Sequence, residues 1–401
     1  MSRTFDLVLF GATGFTGRLV AEYLAQHAPP STRIALAGRN TQKLEQIRSG
    51  LPARAQSWPM LVADSSDAAS LAKLAEQTTV VCTTVGPYAK YGLPLVEACA
   101  KAGTHYCDLT GETQFMRDSI DRYDGTAQAS GARIVHTCGF DSIPSDLGVL
   151  ALQEALGKLV RATYVVVVAK GGFSGGTVAS LLNGLDEAKG DPARRKLMGD
   201  PYGLSPHRDQ EPKLGDERDL ATFKYDDFVG QWVAPFVMAS INTRVVRRSN
   251  ALLGYRYGTQ FKYAEVMGMK KGFGGALKAA ALTGGLGLFM GSLLFGPTRK
   301  FVEGRLPKPG EGPDAETRKN GFLKLHLYGE SESGVKKRLE ITGQGDPGYQ
   351  LTALILSQAA LCLAFDGAML PKVAGVLTPA TAMGRPLIDR LVTAGMTFTV
   401  S

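Results

Sequence analysis

The chain has 401 residues, 44% hydrophobic and 20% charged, with a formal net charge of +8 and a pI near 9.1. That length exceeds one typical core and implies two or three domains, while the composition excludes a disordered chain. Five cysteines (82, 99, 107, 138 and 362) with no CxxC pair argue against a disulfide framework or a zinc site, and for reduced thiols and no bound metal.

The first predicted strand, 5–10, starts at once, with no cationic, apolar leader before it, so a cytoplasmic protein is expected. It breaks into Gly11-x-x-Gly14-x-x-Gly17, and a helix is predicted over 16–27. Strand, glycine turn and helix in this order open a dinucleotide-binding unit. Gly11 permits the tight turn, Gly14 admits a pyrophosphate and Gly17 lets helix and strand pack closely. Thr13, Phe15 and Thr16 complete the expected cradle, with the first helical N–H groups facing the phosphates.

The second strand, 33–38, ends in Ala37-Gly38-Arg39-Asn40, with Lys43 one turn on. An acidic residue here would hold the ribose hydroxyls of NAD. Arg39 in its place, with Asn40 and Lys43, accommodates a 2′-phosphate and selects NADP. Asp64, ending the third strand (61–64), is expected either at the adenine edge or as a helix cap. The fourth strand, 80–86, delivers Thr84, Gly86 and Pro87 beside the nicotinamide ribose. Tyr88 follows, either as a proton donor or as a packing ring. His105 and Cys107 alternate on a further short strand, and 132–139 is the next. Helices over 40–50, 67–76, 92–102 and 112–130 fall between them. This alternation predicts a doubly wound parallel sheet of Rossmann type, ending near residue 145. Asp141, past the strand end expected nearest the nicotinamide, is a candidate catalytic residue or a cap, and His136 in its apolar strand reads as a core histidine.

Beyond Pro144 a helix (145–157) leads to a β-branched strand, 161–170, and the glycine run 171–176, with a helix from Thr177. This run reads either as a plain turn or as an anion-binding nest of backbone N–H groups at a helix start, to which Ser174 and Thr177 add hydroxyls. Residues 190–230 read as loop, 231–246 and 256–267 as strands, and 322–343 as a hairpin. A second, mixed-sheet α+β domain is therefore expected over 146–345. Residues 346–401 form a C-terminal segment, helical to about 365. Basic clusters at Arg194-Arg195-Lys196, at Arg244/Arg247/Arg248 and at Lys270-Lys271 suit phosphorylated ligands or anionic lipid, or are ordinary solvated surface. No nucleic-acid motif accompanies them. Residues 279–296 are uncharged and flanked by cations. They form either a membrane-surface segment, a core or dimer helix, or a span.

The runs VGPYAKYGLPLVEACAKAGTHYCDLTGE (85–112) and CGFDSIPSD (138–146), with the opening GATGFTG, resemble the saccharopine dehydrogenase-like oxidoreductases. NTRVVRRSNAL (242–252), GDPGYQLTA (345–353) and GVLTPATAMGRPLIDRL (375–391) are similar to the actinobacterial trans-acting enoyl reductase subfamily. The resemblance implies a Rossmann domain, a middle sheet domain and a C-terminal segment packing back on the first. It also implies NADPH-dependent reduction of a carbon–carbon double bond in a polyketide-derived lipid precursor of phthiocerol type. A lipid or acyl-thioester substrate handed over by a polyketide synthase, contact with the inner face of the membrane and a homodimer follow as expectations. Two alternatives stand beside this: a reductase of another substrate on the same scaffold, and a non-catalytic NADP-binding scaffold at a membrane.

Overall fold

The computed structural model describes residues 3–171, 175–305 and 312–401. Six short strands, β1 (Phe5–Phe10), β2 (Ile34–Gly38), β3 (Met60–Val62), β4 (Thr78–Thr83), β5 (His105–Cys107) and β6 (Arg133–Val135), run parallel in the order β3-β2-β1-β4-β5-β6. The order reverses between β1 and β4, which opens a crevice at the carboxyl edge where ligands of such sheets bind. The strands are buried on both faces, so they carry continuous apolar runs such as Leu7, Val8, Leu9 and Phe10 rather than alternation.

A second, mixed sheet contains β7 (Leu159–Lys170), β8 (Lys224–Asp226), β9 (Gln231–Pro235), β10 (Lys262–Gly268), β11 (Phe322–Ser331) and β12 (Lys336–Gln344). Only β7 and β10 pair in parallel; the 322–344 hairpin is antiparallel to β7. The chain end serves both sheets. β13 (Gly375–Leu377) pairs with β6 of the first sheet, and β14 (Thr397–Val400) pairs with β12 of the second. Helix Thr352–Phe365 packs on β1, β4 and β5, and one apolar core runs from Leu7 and Leu9 through that helix to Leu325 and Ile341.

Three expectations change. Residues 239–246 are not strand but the start of helix Ala239–Leu252. The basic residues recur there at helical spacing, and Arg244, Arg247 and Arg248 are all buried rather than solvated or open to an anion. Arg248 donates to the carbonyls of Leu204 (2.8 Å) and Val376 (2.6 Å), Arg247 to that of Tyr263 (3.0 Å), and Arg244 pairs with Asp219. They stitch the 198–219 segment onto the body. That region is not all loop, since it starts with helix Pro192–Gly199 and ends at β8. Finally, the apolar 279–296 stretch is no core helix. Up to Leu294 it lies in helix Phe273–Leu294, of which only Gly275, Ala279 and Leu293 are buried.

Candidate active site

The site begins at the glycine turn. Gly11 has φ +98°, a left-handed conformation that a side chain disfavours. Gly17 sits directly on this turn: a Cβ there would overlap the Gly11 carbonyl oxygen and stand 2.8 Å from Thr84 Oγ1. Thr84 Oγ1 donates to that same carbonyl at 3.1 Å, tying the end of β4 to the turn. Gly14 differs. It is exposed, and an added Cβ would meet only Gly11 O, at 3.5 Å, so the protein itself leaves that space open. Helix Phe15–His27 starts here with no side-chain cap, leaving its first N–H groups free for an anion. Thr13 is exposed and Thr16 partly so, whereas the Phe15 ring is occupied elsewhere: it packs edge-on against Tyr349 (4.8 Å) below the Arg318 guanidinium (5.4 Å). An open, uncapped cradle of this kind fits the pyrophosphate of a dinucleotide.

At the end of β2, Arg39 and Lys43 are exposed. Asn40 Oδ1 accepts from Lys43 N at 2.9 Å, which makes Asn40 the cap of helix Thr41–Ser49. Asp64 lies within the electrostatic reach of Arg39, but its Oδ1 accepts from Ser66 N (2.9 Å) and Ser66 Oγ (2.7 Å); Asp67 is the cap of the helix that follows. Those Ser66 bonds hold the Asp64 carboxyl below the usual range. Arg39 is thus an exposed cation at the end of β2, where the 2′-phosphate of a bound NADP would be expected. Charge-assisted bonds of this kind contribute about 1.5–3 kcal/mol. Arg39→Ala is therefore expected to weaken NADPH binding some tenfold to a hundredfold and leave NADH within about threefold, read by fluorescence titration. Equal losses for both would remove Arg39 from the phosphate.

The turn after β4 carries a correction. Tyr88 is 4% exposed, its hydroxyl donates to Thr83 O at 3.2 Å, and its ring lies 5.7 Å from Phe115. With its hydroxyl bonded to Thr83 O inside the core, Tyr88 packs there rather than facing the crevice, and burial holds the phenol well above its ordinary pKa. Gly86 and Pro87 stay accessible beside it. Their position is set by a residue that sequence reasoning passed over. Glu112, 2% exposed, accepts from Tyr88 N (2.9 Å), Ala89 N (2.7 Å) and Ser180 Oγ (2.7 Å). It thereby links the β4 turn to helix Gly175–Gly190 of the second domain. Its place in Thr110-Gly111-Glu112, directly after a strand end, was the available signal.

Behind the crevice, Asp108 accepts from Tyr106 OH (2.8 Å), Thr110 N (3.0 Å) and Thr137 N (3.1 Å) and pairs with His136 Nδ1 (2.7 Å). His136 Nε2 meets Ser119 Oγ at 2.8 Å. The order Ser-His-Asp is that of a hydrolase triad, yet Ser119 and Asp108 are fully buried and no substrate reaches them. His136 is a core histidine that braces the ends of β5 and β6.

Asp141 lies six residues beyond β6, partly exposed, and makes no hydrogen bond among the described residues. Burial alone pushes its carboxyl up to about 6. The neighbouring Ser142 donates to Asn242 Oδ1 (2.8 Å), Asn242 Nδ2 to Glu265 Oε2 (2.8 Å), and Tyr263 to Glu265 Oε1 (2.8 Å). This chain fixes the backbone at Asp141 against the second sheet. Phe140 N donates to Thr352 Oγ1 at 3.2 Å, and Gly171 abuts Asp346 and Pro347, so the C-terminal turn closes the other side. Ser174 lies outside the described residues; Thr177 is placed only as backbone in helix Gly175–Gly190. Among the described residues no His/Cys/Asp/Glu group could hold a metal.

Residues 7–135 match the saccharopine dehydrogenase NADP-binding domain. The whole chain superposes on apo saccharopine dehydrogenase (L-Glu forming) of Saccharomyces cerevisiae with a TM-score of 0.53 at 14% identity, covering 98% of this chain and 99% of that one, which shows the shared fold. Fold and cradle together define an NADP-dependent oxidoreductase. A Mycobacterium tuberculosis protein whose name assigns it provisionally to the trans-acting enoyl reductases is 46% identical over 98% of this chain and 97% of its own. The trans-acting enoyl reductase of Mycobacterium bovis is 44% identical, and that of Mycobacterium ulcerans 42%, each with the same coverage. The chain belongs to the trans-acting enoyl reductase family of saccharopine dehydrogenase-like oxidoreductases.

Proposed function

We propose that this protein reduces the carbon–carbon double bond of an α,β-unsaturated acyl thioester, on a polyketide-derived lipid intermediate of phthiocerol type supplied in the cytoplasm by a polyketide synthase. The names of the mycobacterial relatives support the reaction class. NADPH, when bound, supplies the hydride to the β-carbon. The chain does the rest. The turn Gly11–Gly17, Arg39 and the Thr84–Pro87 segment hold and orient the dinucleotide, and Glu112 keeps that segment in register with the second domain. Hydride addition leaves the electron pair of the double bond as an enolate. Asp141 delivers its carboxyl proton to the α-carbon, which restores the thioester carbonyl and saturates both carbons.

The observation that carries this reading is Asp141: a protonatable carboxyl with no hydrogen-bond partner among the described residues, beyond the carboxyl edge of the sheet that bears the dinucleotide cradle. Purified protein with NADPH is expected to consume long-chain enoyl thioesters and to leave imines formed from 2-oxo acids and amines untouched. Turnover of the imines in place of the thioesters would overturn the proposal.

A further inference from the structure

Two helices of this chain are long and apolar enough to cross a membrane, and they differ in one respect. Helix Pro347–Phe365 is 72% buried over its most apolar stretch, as a core helix should be, whereas helix Phe273–Leu294 is 11% buried. The second is about 33 Å long at 1.5 Å per residue. Phe273, Leu277, Ala281, Gly284 and Leu288 recur along it at three- and four-residue spacing, and all are exposed. Phe295, just past the helix end, extends the exposed apolar surface, and Phe301 is also exposed. Phe273 is 85% exposed and Leu288 79%. A continuous apolar stripe of this length, left in water, marks a surface with a partner.

The surroundings of the stripe identify the partner. Between residues 269 and 305 there are six cations and a single carboxylate, Glu303. Lys270, Lys271, Lys278 and Lys300 are exposed and form no ion pair among the described residues. At the base of the helix, Phe223 and Tyr225 pack around Trp232 at 6.0 and 5.7 Å, and both are partly exposed. Apolar residues outward, lysines at both ends and an aromatic cluster at the polar boundary match the layers of a lipid surface: acyl chains, anionic headgroups and the interface between them. A second copy of the chain would instead set these uncompensated lysines against themselves. The helix is fastened at both ends. Met269 N donates to Trp232 O (2.8 Å), and Arg299 beyond it pairs with Asp186 and Glu303. Held in this way, it lies along the body with its stripe outward.

We infer that helix Phe273–Leu294 is the docking surface of this protein for an anionic lipid bilayer, entering it by the Phe273–Phe295 stripe and held at the headgroups by Lys270, Lys271, Lys278 and Lys300. The inference does not depend on the reaction catalysed. Full-length protein is mixed with vesicles of phosphatidylcholine alone or with phosphatidylglycerol and separated by flotation. The protein floats with the anionic vesicles and is released as salt is raised. Leu277→Glu with Leu288→Glu lowers the bound fraction at least about tenfold, and Lys270→Gln with Lys271→Gln weakens it and flattens the salt dependence. Both pairs of side chains are exposed, so melting temperature and NADPH affinity stay at wild-type values. Wild-type protein that stays unbound, or a leucine double variant that floats undiminished, overturns the assignment. So does a dimer in light scattering that this variant converts to monomer, which would make the stripe an interface between copies.

Discussion

Gly17→Ala is expected to abolish NADPH binding, weakening it at least about a hundredfold, and to lower the melting temperature as well. A Cβ at Gly17 meets the Gly11 carbonyl oxygen, which is backbone and cannot rotate away, and Thr84 Oγ1, which already bonds that carbonyl. Overpacking of side chains costs about 1–3 kcal/mol. Here the first turn of helix Phe15–His27 must instead lift off β1, and its N–H groups no longer converge on one point. Gly14→Ala separates binding from folding. The nearest atom to a Cβ at Gly14 is 3.5 Å away, so the fold accepts it and the melting temperature holds. The methyl then fills the space left for the pyrophosphate, and NADPH affinity falls. Fluorescence titration and thermal melts on the two variants read both quantities. A Gly14→Ala protein that binds NADPH normally would place the cofactor elsewhere.

Asp141→Asn is expected to lower kcat by about a hundredfold to ten-thousandfold, the usual range for a general acid, and to leave the Kd for NADPH unchanged. The pH profile gives the sharper readout. In the proposed reaction the donor is the protonated Asp141 carboxyl, which burial raises to about 6. The protonated fraction is therefore nearly complete at pH 5 and falls about tenfold per unit well above 6. The wild-type rate drops accordingly as pH rises, whereas the asparagine variant runs flat at its low level. A variant that keeps the wild-type slope assigns the proton to another group.

Strand, glycine turn and helix at the N-terminus were legible because each has a local signature: an apolar run, three glycines at fixed spacing, then helical periodicity. The end of β2, where Arg39 stands exposed, was legible for the same reason, since it follows from the strand–helix alternation along the chain. Tyr88 was not, because its local sequence leaves open whether the hydroxyl faces the crevice or the core, and only packing against Phe115 decides. The burial of Arg244, Arg247 and Arg248 was not legible either, because Arg247 and Arg248 reach carbonyls outside their own helix, those of Leu204, Tyr263 and Val376, which only the fold brings to them. Glu112 escaped notice in the same way, since its role needs Tyr88 and Ser180 to be brought to it. Helix Phe273–Leu294 was visible as an apolar segment, but its exposure is a tertiary property.

The central claim is hydride transfer from NADPH to the β-carbon of an enoyl thioester, and isotope transfer tests it most directly. NADPH deuterated at its hydride-donating carbon is incubated with the protein and an enoyl thioester, and the product is analysed by mass spectrometry and NMR. The account predicts a saturated thioester with one deuterium at the β-carbon and a solvent-derived hydrogen at the α-carbon, formed with NADPH far faster than with NADH. Deuterium at the carbonyl carbon, or an unreduced double bond after NADPH has been consumed, would contradict it.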